Sequence, residues 1–331
     1  MLTTRSRSAV DAVLLGVALA WGSSYLVAKE LTTVAPVLVV LTLRYVISAV
    51  ALGAVCLVRR VPSPRGRQLR VGVLLGCTQA AVLTLETFGV AATSATNAGL
   101  IISLTIVFTP FLESLWSRAW LPLPFFVAAV LAVLGVALLV SGHGFRAPTV
   151  GDVLMLAAAA VRAVHVTLIG RLTSGRPHSS LSLTTVQAVV GTVLLGAAAG
   201  DRLASTVPHL SFVGWSRLAY LALACSVFAF LAQTWAIRRT SASRASLLLG
   251  TEPVWAVAVG VSLGGEPLTA LGVVGAALVI ASTSWGQQVE RRHRLAVGTP
   301  APPSCSPATV DRAARERDAG RLWAPPVRRI T

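Results

Sequence analysis

Apolar residues fill this chain in blocks separated by short polar segments, and most blocks are close to the roughly twenty residues that a helix needs to cross a bilayer. Because lipid offers no partners for open backbone groups, we expect every block to be helical. The blocks predict ten membrane spans: 9–28, 36–58, 70–91, 96–116, 122–141, 150–170, 180–199, 213–236, 244–263 and 267–286.

The composition supports a membrane protein. Hydrophobic residues make up 55% of the chain and charged residues only 12%, whereas an ordinary soluble domain carries about 25% charge. The net charge of +16 could suggest a nucleic-acid partner. Nearly all of that charge lies between apolar blocks and in the C-terminal tail, so we expect the partner to be the lipid bilayer and expect no nucleic acid.

The basic residues also predict an orientation. Ten spans place both chain ends on one side, and basic loops favour the cytoplasm. We therefore expect a multi-pass protein of the cell inner membrane or plasma membrane with both termini in the cytoplasm. The inside segments carry Arg5, Arg7, Arg59, Arg60, Arg65, Arg67, Arg70, Arg118, Arg171, Arg176, Arg238, Arg239 and Arg244, and the outside segments carry Lys29, Arg146, Arg202 and Arg217.

The two halves of the chain resemble one another. The stretch "DAVLLGVALAWGSSYLVAKELT" from residue 11 aligns with "DVLMLAAAAVRAVHVTLIGRLT" from residue 152. In this alignment Trp21 meets Arg162 and Ser24 meets His165, while further along Arg44 meets Gln187 and Pro110 meets Pro253. Each half holds five spans, and an odd number reverses the second half in the membrane. Inverted repeats are typical of secondary transporters.

The fold class predicted is therefore an all-α integral membrane protein with ten transmembrane helices arranged as two inverted five-helix repeats. Residues 1–8 form a cytoplasmic N-terminus. The first repeat is 9–141, the second is 150–286, and 287–331 is a disordered basic cytoplasmic tail, rich in proline and then in charge.

Ionisable side chains occur inside the predicted spans. An ionisable residue at the bilayer centre costs about 2.5–3.5 kcal/mol on insertion scales, so such residues are usually functional. They are Arg44, Glu86, Arg162, His165 and Glu252. An alternative is that the two arginines and two glutamates only neutralise one another, and His165 could equally be a satisfied core histidine.

Other polar and aromatic residues leave similar alternatives. Trp21 and Tyr25 lie one helical turn apart and could form an aromatic wall of a site or pack in the core. Gln187 could bind substrate or join two helices by a hydrogen bond. Pro110 and Pro253 are expected to kink their helices. No metal or cofactor is expected, since the cysteines have no zinc spacing and no HExxH, GxSxG or GxxxxGK[ST] motif occurs.

The chain resembles the EamA-like ten-helix branch of the drug/metabolite transporter superfamily. The resemblance is carried by "AWGSSYLVAK" (20–29), "LRY" (43–45), "TSATNAGLIISLTIVFTP" (93–110), "LTTVQ" (183–187) and "EPVWAVAVGVSLGGEPLTALGVVGAALVIAS" (252–282). It implies two inverted five-helix repeats, a central cavity and export or exchange of small metabolites. The family's motif positions fall on Trp21, Ser24, Tyr25, Arg44, Asn97, Pro110, Glu252 and Pro253.

The function favoured is a secondary active transporter that exports amino acids, related metabolites or drug-like compounds by alternating access. Proton coupling through Glu252 and a homodimer are left open, and the alternatives are an intramembrane lipid-modifying enzyme or a channel. The candidate substrate-binding and coupling residues are Trp21, Ser24, Tyr25, Arg44, Glu86, Asn97, Arg162, His165, Gln187 and Glu252, with Pro110 and Pro253 as helix kinks.

Overall fold

The computed structural model describes residues 4–93, 98, 101–118, 120–141, 149–173, 178–264 and 269–298, and their regular structure is helical throughout. Seven segments of the described residues are long and apolar enough to cross a membrane, and Leu123–Leu138 is a shorter apolar helix. The all-helical prediction is confirmed in this form, while the number ten stays a prediction. In chain order the helices are α1 (Thr4–Val34), α2 (Val37–Val58), α3 (Gly66–Ala92), α4 (Thr105–Ser117), α5 (Leu123–Ser141), α6 (Val150–Thr173), α7 (Ser180–Ala199), α8 (Arg202–Thr206), α9 (Phe212–Ala222), α10 (Ala229–Ile237), α11 (Ala242–Leu249), α12 (Glu252–Gly264) and α13 (Ala270–Gly298).

The last helix runs past its predicted end at residue 286. Helix α13 continues to Gly298, so 287–298 is helical where the sequence indicated disorder. Residues 287–297 are rich in glutamine, glutamate, arginine, leucine and alanine, which favour helix. The remainder of the predicted tail, 299–331, lies outside the described residues.

The ninth predicted span is broken. Helix α11 ends at Leu249 and α12 begins at Glu252, so Gly250 and Thr251 interrupt the helix. Pro253 lies in the first turn of α12, where the missing amide hydrogen is tolerated. Pro253 therefore follows a break rather than kinking a continuous helix, whereas Pro110 lies inside α4.

The eighth predicted span contains a π-helical turn. Residues Leu223–Phe228 join α9 to α10 with a wider turn than an α-helix. Such turns shift backbone carbonyls out of the regular hydrogen-bond ladder and frequently occur at functional sites. Within this turn the hydroxyl of Ser226 donates to the carbonyl of Leu221, five residues earlier.

Helices from the first half of the chain pack chiefly against helices from the second half. Helix α3 packs along α6 and α7, α2 packs along α7 and α9, α1 packs on α10 and α12, and α4 packs on α6 and α11. The crossing of α1 and α12 depends on Gly22, because a Cβ there would lie 2.6 Å from the carbonyl oxygen of Glu252.

Large apolar side chains cover the outer surface of the helices. Leu57, Val58 and Phe212 are 80%, 84% and 88% exposed. Soluble monomers rarely expose apolar area on this scale. Since lipid is a suitable neighbour for these side chains, the surface agrees with a chain that spans a membrane.

Candidate functional site

A buried ion pair joins two helices from the second half of the chain. Nη2 of Arg162 on α6 lies 3.2 Å from Oε2 of Glu252, the first residue of α12. The other carboxylate oxygen of Glu252 accepts a 2.5 Å hydrogen bond from the hydroxyl of Tyr25 on α1. All three residues are buried, so this cluster ties α1, α6 and α12 together.

The same arginine stacks on an aromatic ring from the first half. The guanidinium carbon of Arg162 lies 4.4 Å from the centroid of the Trp21 ring, within cation–π range. The indole Nε1 of Trp21 donates to the carbonyl of Cys225 at 3.0 Å. Trp21 and Arg162 occupy equivalent positions in the alignment of the two halves, and here they are in direct contact.

The second buried arginine is held by the π-helical turn. Nε of Arg44 on α2 donates to Oγ of Ser226 at 2.6 Å, and Nη2 donates to the carbonyl of Cys225 at 3.1 Å. Both acceptors are neutral. Within the described part of the chain no carboxylate pairs with Arg44, and Nη1 donates to no described residue. Arg44 therefore brings a positive charge into the protein interior without a direct ion pair to a described residue.

A small polar cavity lies between these two arginines. Its volume, counted as the space that the centre of a water molecule can occupy, is about 20 Å³, enough for one or two waters. In this structure the cavity is therefore closed to a molecule of the size of a metabolite. It is lined by Trp21, Ser24, Arg44, Gln79, Val82, Leu83, Glu86, Arg162, His165, Phe230 and Gln233.

Several polar groups in this cavity have no partner among the described residues. The side chains of Gln79 and Gln233 are buried yet make no hydrogen bond there, and neither does the carboxylate of Glu86. Nδ1 of His165 lies 2.8 Å from the hydroxyl of Thr78, while its Nε2 is buried without a partner. Because unpaired buried polar groups are costly, the cavity is built to hold water or a polar ligand.

A second small cavity adjoins the ion pair. It also has a volume of about 20 Å³ and is lined by Arg162, Glu252 and Pro253 together with Thr105, Ser246 and Gly250, among others. Arg162 lines both cavities, so the ion pair lies between them. Gly250, at the interruption of the helix, forms part of this second wall, and irregular backbone in a membrane protein is tolerated where it lines a cavity.

Family comparison identifies the chain. A sequence model of the EamA-like transporter family matches residues 9–141 and again residues 149–285. This chain belongs to the EamA-like transporter family. The resemblance seen in its motifs is thereby confirmed, and the chain is a multi-pass membrane transporter.

Individual relatives agree with the family. A protein of Archaeoglobus fulgidus named "Uncharacterized transporter" is 27% identical over 183 residues, which is 55% of this chain and 64% of that protein, so the match spans less than two thirds of the relative. A protein of known crystal structure aligns with a TM-score of 0.67 at 18% identity, over 87% of this chain and 99% of the other, and shows a shared fold. Family and relative indicate a transporter rather than an enzyme.

The remaining predicted residues of this EamA-like protein lie in different places. Ser24 lines the central cavity and donates to the carbonyl of Trp21 at 2.7 Å. Gln187 lies apart from the cavity lining, where its amide donates to the carbonyl of Leu183 and its Cα lies close to Gly76 on α3. Asn97 lies outside the described residues.

Four residues outside the predicted set contribute to the site. Cys225 and Ser226 anchor Arg44, and Gln79 and Gln233 line the cavity. The signal for the two glutamines was a polar residue inside an apolar span, as for Gln187. Nothing in the sequence marked Cys225 and Ser226, because the π-helical turn that presents them carries no glycine or proline.

The first helix of each half carries an aspartate near its start, and each aspartate joins two segments. Asp11 binds Arg244 at the start of α11, with distances of 3.1 Å to Nε and 2.6 Å to Nη2. Nη1 of Arg244 also lies 3.9 Å from Oε2 of Glu290. Asp152 accepts a 2.5 Å hydrogen bond from the hydroxyl of Thr93, after α3. The contact of Asp11 is therefore an ion pair, whereas Asp152 accepts from the neutral hydroxyl of Thr93.

Proposed function

We propose that this EamA-like protein is a secondary active transporter that exports a small zwitterionic metabolite, of the α-amino acid type, by alternating access. The single observation that carries the proposal is the small polar cavity whose wall holds Arg44 and Glu86, neither of which forms a salt bridge with a described residue. Its two halves act as inverted repeats of five helices each. They rock against one another around the cavity, in the cell inner or plasma membrane, with both termini in the cytoplasm.

The pattern of helix contacts supports the repeat. Numbered by predicted span, the eighth span is α9 with α10 and the ninth is α11 with α12. In an inverted repeat, each contact between two spans has a matching contact between their counterparts five spans away. The contact of α3 with α6 then predicts a contact of α10 with α1. In the same way, the contact of α1 with α12 predicts one of α6 with α4, and the contact of α3 with α7 predicts one of α9 with α2. All of these contacts occur. The two family matches of similar length point the same way.

The contact of Trp21 with Arg162 supports the same axis. Equivalent residues of two repeats touch one another only where they lie next to the axis that relates the repeats. Trp21 and Arg162 are equivalent and stack at 4.4 Å. We therefore place the axis beside this stack, and the cavity that both residues line lies on it, as expected for a transporter substrate site.

The charges of the cavity favour a zwitterion. Arg162 is neutralised by Glu252, which leaves Arg44 and Glu86 as the charged groups without an ionic partner in the described part of the chain. A carboxylate matches Arg44, whose guanidinium can bind it with charge-assisted hydrogen bonds. An ammonium group matches Glu86. The glutamines and Nε2 of His165 supply neutral donors and acceptors for the rest of the ligand.

The closed cavity fits an occluded or resting state of the cycle. It holds one or two waters, so a metabolite enters only after helices separate. The contacts that resist separation are the Tyr25–Glu252–Arg162 cluster at the centre, Asp11 with Arg244 at one helix end, and Asp152 with Thr93 at another. In this proposal Glu252 exchanges Arg162 and Tyr25 for water as the transporter opens, which makes it the candidate for proton coupling.

The proposal is tested by counterflow in proteoliposomes. Vesicles loaded with one unlabelled neutral α-amino acid at a time are assayed for uptake of the same labelled compound, and the best substrate is compared with its decarboxylated amine and its deaminated acid. The wild-type protein is expected to accumulate the zwitterion and to reject both analogues. Uptake of no zwitterion in the panel, or equal uptake of all three forms, would refute the assignment.

Two variants separate the roles of the charges. Arg44→Gln is expected to lose the preference for the zwitterion over the amine, and Glu86→Gln the preference over the acid. The matched controls are Arg217→Gln and Glu30→Gln, which alter the exposed ion pair of the same residue types, and both are expected to keep wild-type selectivity. A proton gradient that drives uptake in the wild type but not in Glu252→Gln would support coupling at Glu252.

A further inference from the structure

A larger cavity lies away from the central site, beside the basic loop that follows α2. Its volume is about 530 Å³, far more than the central cavity offers. The C-terminal end of α2, loop residues 60–64 and the first turns of α7 form its walls. The lining includes Cys56, Leu57, Arg60, Ser63, Ser182 and Thr185.

A buried serine lies in the wall of this cavity. Ser182 is 1% exposed, and its Oγ makes no hydrogen bond within the part of the chain that the structure describes. It lies in the first turn of α7, where its backbone amide donates to the Oγ of the N-cap residue Ser179. Because this hydroxyl is buried behind the wall, the charged group that a ligand in the cavity can reach is the exposed Arg60.

The chain segment beside the cavity carries positive charge and no acidic residue. Loop and helix residues 59–70 include five arginines and no acidic residue, and the sequence holds no aspartate or glutamate between Glu30 and Glu86. Arg60, exposed in the cavity wall, has a left-handed backbone conformation with φ 51° that ends the turn after α2. On the other side, Nη1 of Arg238 donates to the hydroxyl of Ser180 at 2.7 Å.

One wall of the cavity is apolar and faces outward. Leu57 lines it and is 80% exposed, and the neighbouring Val58 is 84% exposed. In a membrane-spanning chain such side chains contact acyl chains. The cavity thus combines a basic, hydroxyl-bearing interior with an apolar mouth at the end of a membrane helix, where headgroups lie.

We propose that this cavity binds the headgroup of one anionic phospholipid, with its phosphate on Arg60 and its acyl chains along Leu57 and Val58. The binding site is independent of the transport cavity. Anionic lipid is attracted to basic segments at the membrane surface, and this cavity would convert that general attraction into a single specific position beside α2 and α7.

Native mass spectrometry of the full-length protein tests the proposal. Protein from mixed micelles that contain equal amounts of phosphatidylglycerol and phosphatidylcholine is expected to retain one phosphatidylglycerol in preference. Arg60→Gln is expected to retain roughly tenfold less, the loss expected for one charge-assisted hydrogen bond.

The control is Arg202→Gln, which removes an exposed arginine on α8, away from the cavity. Equal retention of the two lipids by the wild type, or equal loss in Arg60→Gln and Arg202→Gln, would overturn the proposal. Soluble glycerol phosphate, added as a competitor, distinguishes a lipid ligand from a free phosphate ester. Displacement of the lipid at matched concentration would show that the site binds free phosphate esters instead. Elution of each variant as a monodisperse peak in size-exclusion chromatography establishes that it is folded.

Discussion

Replacing Glu252 by glutamine removes one charge from the buried pair with Arg162 while keeping the size of the side chain. The two side chains are 9% and 3% exposed and their nearest atoms are 3.2 Å apart, so Arg162 is left as a buried charge with no carboxylate. Breaking such a pair costs about 3–5 kcal/mol. Glutamine can still accept from Tyr25, so the loss is assigned to the ion pair.

The expected shift is large enough to measure by melting. At about 2–4 °C per kcal/mol, a loss of about 3–5 kcal/mol lowers the apparent melting temperature by about 6–20 °C. The assay is thermal unfolding of the detergent-purified protein followed by tryptophan fluorescence, to which Trp21 beside Arg162 contributes. The double variant Arg162→Met/Glu252→Gln removes both charges and is expected to recover most of the loss.

The matched control is Glu30→Gln. Its pair with Arg217 is short, at 2.6 Å, but the side chains are 41% and 37% exposed, and such surface pairs contribute about 0–1 kcal/mol. If Glu252→Gln melts within a degree of Glu30→Gln, or if the double variant melts no higher than the single one, the pair does not stabilise the closed cavity and the reasoning is wrong.

Three further predictions use the same purified protein. Gly22→Ala is expected to destabilise it by about 1–3 kcal/mol through overpacking, since the new Cβ would lie 2.6 Å from the Glu252 carbonyl. The control is Gly196→Ala, whose Cβ would meet only Thr42 at 3.8 Å, and which is expected to stabilise the protein by about 0.5–1 kcal/mol. Equal melting temperatures of the Gly22→Ala and Gly196→Ala variants would contradict the tight α1–α12 crossing. Asp11→Asn is expected to cost about 1–3 kcal/mol, because it removes charged hydrogen bonds to buried Arg244, and a loss no greater than that of Glu30→Gln would count against the interhelical contact. Ser226→Ala is expected to weaken zwitterion uptake roughly tenfold, because it removes the hydrogen-bond acceptor of Nε of Arg44. The control is exposed Ser216→Ala, which is expected to leave uptake unchanged. Uptake at the wild-type rate by Ser226→Ala would show that the π-helical turn does not contribute to the site.

The helices could be predicted because lipid enforces a simple rule. Apolar blocks of spanning length have to be helical, and α2 and α7 lie within one residue of their predicted limits. The break before α12 had a visible signal in Gly250 and Pro253. The π-helical turn had none, since it arises from how Leu223–Phe228 packs among α1, α2 and α9.

The site could be predicted only in part, because an apolar span does not reveal which way its polar residue points. Gln79, Gln187 and Gln233 look alike in sequence. The first and third face the cavity, whereas Gln187 lies where α7 crosses closely over Gly76. The ion pair of Arg162 with Glu252 was foreseeable as charge neutralisation, but its hydrogen bond to Tyr25 joins residues far apart in sequence.

Alternating exposure of the cavity is the central claim, and Ser24 offers the most direct measurement. In a variant that lacks the four native cysteines, Ser24→Cys places a thiol in the cavity wall, and a membrane-impermeant thiol reagent is applied to either face of oriented vesicles during counterflow. The account predicts labelling from both faces, at rates that substrate lowers. Labelling from one face only, or from neither face, would contradict it.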